Sequence, residues 1–158
     1  MKSIQFRLIL FSLFLLQPIL FAQQSEKEII DAKNKRVILF HQIGQYTEAI
    51  FLAEEVLARG EKFWGRNHAN VADYLNNLAF MYSLIGVFEK AEPLYKRSLN
   101  IRIKELSHED SLVAQSYNNL AGLYYKISNY QKAVTFFKNA LGILEKQPRP
   151  NHRYIAGN

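Results

Sequence analysis

NNLA stands at residues 76–79 and again at 118–121, a separation of 42 residues. The match extends well beyond four letters. Residues 68–109 set against 110–151 without gaps agree at 14 of 42 positions, among them Val71/Val113, Ala72/Ala114, Tyr82/Tyr124, Ala91/Ala133 and Leu99/Leu141. One step further back, residues 26–67 keep Asp31, Asn34, Ile43, Gly44, Ala49, Leu52 and Leu57 in register. A unit this short cannot bury its apolar surface alone. Three tandem copies therefore predict stacked units.

The apolar spacing inside a unit predicts two helices. Val71, Leu75, Leu78, Ala79, Tyr82 and Ile85 recur at steps of three and four, which places them on one helix face. Gly86 then supplies a residue able to take the left-handed conformation that ends a helix. Phe88, Ala91, Leu94, Tyr95, Ser98 and Leu99 repeat the pattern. So short a connection makes the two helices antiparallel neighbours. Ala79 and Ala91 allow close approach where they cross, and Tyr82, Phe88 and Tyr95 fill the space around them. Pro93 falls near the start of the second helix, where its cost is smallest, and is expected as a local bend.

Residues 1–22 differ from the rest. Lys2 and Arg7 precede an apolar run from Leu8 to Leu16, Pro18 is expected to break the helix, and Ala22 precedes a polar segment. This pattern describes a secretory signal peptide. Its rival is an uncleaved anchor formed by residues 4–21, a length near the lower limit for a membrane span. Export follows from either: periplasmic or secreted in a bacterium, or membrane-anchored. Loss of Lys2 and Arg7 takes the net charge from +6 to +4, and the remaining basic residues are interspersed with acids. Nucleic-acid binding, which needs a concentrated basic face, is not expected. The chain has no cysteine, which excludes disulfides, thiol nucleophiles and cysteine-ligated metals.

The series Leu78, Ala79, Tyr82, Gly86, Phe88, Ala91, Tyr95, Ser98 and Leu99 resembles the signature of the tetratricopeptide repeat (TPR). The 42-residue period, NHANVADYLNNLA and EKAEPLYKRSL resemble its kinesin-light-chain-like variety. The resemblance covers about residues 26–158, with repeats at 26–67, 68–109 and 110–151, so that 23–158 form one TPR domain. It departs from the pattern at Ser128, which replaces the glycine, and at Arg36 and Val37, which suit an end repeat facing water. His152, Ile155 and Ala156 match His68, Val71 and Ala72, as if a fourth first helix began at 152. On that basis the third unit's Phe136, Phe137, Leu141 and Ile143 lack a covering neighbour. Two expectations follow: the chain is a fragment of a longer protein, or a partner or second copy covers this C-terminal face.

The resemblance implies an all-α fold, a right-handed superhelical solenoid of antiparallel helix pairs whose first helices line a concave groove for proteins or peptides. Its groove positions fall on Asp31, Asn34, Ile38, His41 and Gln42, then Asp73, Asn76, Phe80, Ser83 and Leu84, then Gln115, Asn118, Gly122, Tyr125 and Lys126. Among these Asn34, Asn76, Phe80, Asn118, Tyr125 and Lys126 are the candidate peptide contacts. An asparagine amide both donates to and accepts from a peptide backbone. Asn34, Asn76 and Asn118 share one position, and a ladder of the three along the groove is expected. The alternative is that these amides bond neighbouring helices or face water. Asn77 and Asn119, one position on, lean to a structural or groove-edge role. Of the family's carboxylate-clamp positions only Asn77 matches, so no clamp for a C-terminal carboxylate is expected.

No catalytic arrangement, phosphate-cradling loop or metal motif stands in the sequence, so no enzyme activity, metal or cofactor is expected. His68, His108 and His152 read as turn and helix-start residues, and Trp64 as packing a loop onto the next pair. The function expected is a non-catalytic scaffold that binds a protein or peptide. The alternative is the sensory or recruitment arm of a larger enzyme, such as a caspase-like protease or histidine kinase.

Overall fold

The computed structural model describes residues 2–147, with side chains from residue 21 onward. Among the described residues there are six helices and no strand: α1 (Lys2–Gln42), α2 (Tyr46–Trp64), α3 (Ala69–Leu84), α4 (Phe88–Glu105), α5 (Ser111–Lys126) and α6 (Tyr130–Leu144). They form two compact units, divided between Arg66 and Asn67.

The first unit is the pair α1 and α2. They run antiparallel, because Glu26 near the start of the paired part of α1 meets Arg59 late in α2, whereas Lys33 meets Glu55. Ile30, Val37, Ala49, Leu52, Ala53 and Val56 form its core. The helix continues through Pro18 rather than breaking there. A proline inside a helix costs about 3 kcal/mol and perturbs one turn. Leucine-rich flanks, strong helix formers, carry the helix across that defect. Trp64 is the last residue of α2 rather than part of a loop, and its ring meets Phe63 edge-on at 4.7 Å. The segment from His152 lies outside the described residues.

The second unit stacks two pairs, α3 with α4 and α5 with α6, and α4 also packs on α5. Ala79 and Ala91 are fully buried, and Tyr82 and Tyr95 are buried beside them. The buried Ser98 donates from Oγ to the carbonyl of Ala72 at 2.7 Å, tying α4 to the first turns of α3. Pro93 lies within α4, near its start, and the helix continues past it.

The turns explain the glycine positions. Gly86 lies in the middle of the α3–α4 connection with φ +80°, a conformation that penalises a Cβ. The third copy places Ser128 there with φ +60°. Asn129 follows as the N-cap of α6, its Oδ1 accepting from the Lys132 amide. The first helices of this unit are capped by side chains as well. His68 Nδ1 accepts from the Asn70 amide and Asp110 Oδ1 from the Leu112 amide, which makes His68 a helix-start residue.

Candidate functional site

In the second unit the two first helices, α3 and α5, run parallel and are joined by polar rungs. Asn119 Nδ2 donates to Asn76 Oδ1 at 2.7 Å. Two turns along, the Lys126 ammonium donates to the carbonyl and hydroxyl oxygens of Ser83 at 3.2 and 3.3 Å. Both rungs join residues 43 apart, one more than the repeat period. The extra residue has a simple geometric cause. A helix in a stack faces its successor with one row of side chains and its predecessor with another. Adjacent positions on a helix differ by about 100°, so a doublet supplies both rows.

In place of the expected ladder of Asn34, Asn76 and Asn118, the second unit holds one asparagine rung, in a different register. Asn76 meets Asn119, not Asn118. Asn76 is 8% exposed and its carbonyl oxygen is held by the rung. Asn118, at the position equivalent to Asn76, is exposed, and Asn77 is half-buried. Asn119 takes the structural role to which its position leaned. Asn34 lies in the first unit, half-buried on α1, with Ile38 exposed one turn on.

At the far end of the same face stands a residue the sequence reading passed over. Arg102 of α4 is 3% exposed. Its Nη2 donates to Asp73 Oδ1 at 2.7 Å, while Nη1 donates to the Leu112 carbonyl, Gln115 Oε1 and Ser116 Oγ at 2.8–3.2 Å. One guanidinium thus ties three helices together, and Asp73 and Ser116 again lie 43 apart. Its Nε has no hydrogen-bond partner. The signal was present in the sequence: Arg102 continues the apolar row of Tyr95 and Leu99 at helical spacing, where a charge must be paired.

The α4–α5 joint has a second polar tie. Glu92 accepts from the Tyr124 hydroxyl at 2.6 Å and from the Lys96 ammonium at 2.6 Å. These bonds, Lys96 first, hold its carboxyl below the ordinary value of 4.5. Burial alone pushes the Tyr95 hydroxyl up. Tyr124 also stacks on Phe136 with ring centroids 5.4 Å apart.

Apolar groups flank the rungs. Phe80 and Leu84 of α3 are 40% and 38% exposed, and Tyr125 of α5 is 62% exposed, with its ring edge-on to Tyr130 at 5.6 Å. Gly122 occupies the position equivalent to Phe80, and a Cβ built there meets nothing within 4 Å, so the wall is open at that point. Among the described residues no group of three histidine or acidic side chains is placed to hold a metal.

Residues 28–104 and 70–146 match the family model described as tetratricopeptide repeat. The chain belongs to the tetratricopeptide repeat family. This TPR chain is also similar to solved structures. One is BtubC (BKLC) from P. vanneervenii, with 24% identity and a TM-score of 0.69 over 82% of this chain and 53% of that one. Another holds the nearly identical TPR-like repeats of a kinesin-light-chain-like protein from Podosopora anserina, with 26% identity and a TM-score of 0.70 over 78% and 59%. A third is the TPR domain of Arabidopsis FLU, with 19% identity and a TM-score of 0.69 over 77% and 99%. The chain spans little more than half the length of the first two. A search of curated protein sequences returned no match. The neighbours share the all-α repeat solenoid class, and the match to kinesin-light-chain repeats agrees with the 42-residue period. The TPR family is one of protein-interaction scaffolds.

Proposed function

We propose that the α3/α5 face of this TPR chain binds a peptide segment of a partner protein, gripping apolar or aromatic side chains rather than a charged terminus. The observation that carries this reading is the pattern of exposure on that face. Phe80, Leu84 and Tyr125 are exposed, while two charges of the same helices are engaged, Asp73 by Arg102 and Lys126 by Ser83. Exposed aromatics around a polar seam supply area at low entropic cost. Asn118, exposed, presents an amide able to meet the peptide backbone in both senses.

The test is a peptide library displayed on phage and selected on the full chain. Peptides recovered should bind Phe80→Ala/Tyr125→Ala at least ~10-fold more weakly, a loss in keeping with truncating two anchor side chains. The helical circular dichroism should be unchanged. Equal binding by the double variant would sink the groove reading.

The charged start and apolar run of residues 1–22 support export, with the tether through residues 4–21 as the form retained if the segment stays. N-terminal sequencing of the protein from cell fractions decides between these two forms.

A further inference from the structure

Helix α6 repeats the positions of α4 one period on, yet its environment differs. On α4, Tyr95, Leu99 and Arg102 are 3%, 7% and 3% exposed, with α5 packed alongside. Their counterparts on α6, Phe137, Leu141 and Leu144, are 46%, 54% and 45% exposed. Tyr130 and Val134 extend the row, at 58% and 51%. The five lie at steps of four, three, four and three, the alternating spacing of a two-heptad seam that packs against another helix as knobs into holes.

We propose that the occupant of this seam is α6 of a second copy, in a two-fold symmetric dimer. Two-fold symmetry sets a surface against itself, so a charge near the axis of the seam would meet its own like charge. None of the five seam positions carries one. The first helix of a second copy is a poorer occupant. The α1 positions equivalent to the buried Val113, Leu120 and Tyr124 are Ile29, Arg36 and Phe40, with Arg36 exposed. Setting that face on α6 would desolvate the Arg36 guanidinium against five seam positions that hold no acid. Flanking the seam, the exposed Lys138 and Glu145 fall at the polar rim where water is retained.

The experiment is sedimentation equilibrium of the purified full chain over a wide concentration range, alongside two variants. Wild type should fit a reversible monomer–dimer equilibrium. Val134→Glu/Leu141→Glu should be monomeric throughout with unchanged circular dichroism, because both side chains already stand half in water. Phe51→Glu, at a 74% exposed site on α2, should dimerise as wild type does. Because the chain has no cysteine, Phe137→Cys offers an independent readout: it should form an intermolecular disulfide on mild oxidation, whereas Phe51→Cys should not. A wild-type chain monomeric at every concentration overturns the proposal, as it would if residues from 148 onward cover the seam in cis. Dimers that persist in the glutamate variant, or that Phe51→Glu abolishes, overturn it as well. Association through the apolar residues 2–20 is separable, since it would be insensitive to every α6 substitution.

Discussion

Helices α4 and α6 descend from the same repeat position, share Ala91/Ala133 and Leu99/Leu141, and end in different surroundings. Leu99 is 7% exposed and Leu141 54%. The difference is not in the residue, nor in its helix, but in whether another helix packs on that side among the described residues. Burial in a stack is therefore a property of neighbours, and the same leucine stabilises the fold in one copy and offers a contact surface in the next. Arg102 and Leu144 sharpen the contrast. On α4, with α5 packed alongside, the position holds a guanidinium that bonds Asp73, Leu112, Gln115 and Ser116; on α6 it holds a plain apolar group, 45% exposed.

The largest expected effect tests the leucines directly. Leu99→Ala should lower unfolding stability by about 3 kcal/mol, the cost of a buried cavity, whereas Leu141→Ala should change it by less than about 0.5 kcal/mol at dilutions that keep the chain monomeric. Urea denaturation of both variants reads the difference, and equal losses would break the comparison. Next in size is Arg102→Leu, which copies the third repeat's residue into the second. It leaves Asp73, Ser116 and the Leu112 carbonyl without their shared donor. The half-exposed Asp73 regains water, so the loss should be about 2 kcal/mol rather than the full cost of breaking a buried pair. No loss would show that the guanidinium is dispensable to the joint. The smallest effect belongs to the rung between the asparagines. A double-mutant cycle of Asn76→Ala and Asn119→Ala should give a coupling of about 1 kcal/mol, and the parallel cycle with Asn118→Ala a coupling near zero. Coupling to Asn118 instead of Asn119 would return the ladder to the 42-residue register.

Much of the fold was legible because it depends on local chemistry that repeats. Alanines at the crossing, aromatics around them, glycine at the left-handed turn and the short connection each determine a neighbouring few residues, and the period multiplies them. Ser128 shows the tolerance of that code. It departs from glycine, yet takes a left-handed φ of +60° with Asn129 capping the next helix. The candidate site was legible only in part. Asn76 and Phe80 lie on α3 and Tyr125 and Lys126 on α5, but alignment pairs equivalent positions, and equivalent positions point the same way. In this stack the row of a first helix that faces the next copy is not the row that faces the previous one. The partner of Asn76 is therefore its neighbour's neighbour, Asn119, and no alignment of copies could display that pair.

What the sequence determined by itself is the unit: two antiparallel helices, their turns and the recurrence every 42 residues, because these follow from propensity and spacing along the chain. What tertiary structure decided is how the copies meet: the 43-residue rungs, the reach of Arg102 across three helices and the exposure of the α6 row. These depend on which face of a helix confronts another element, and that is settled by packing between copies, not by the letters within one.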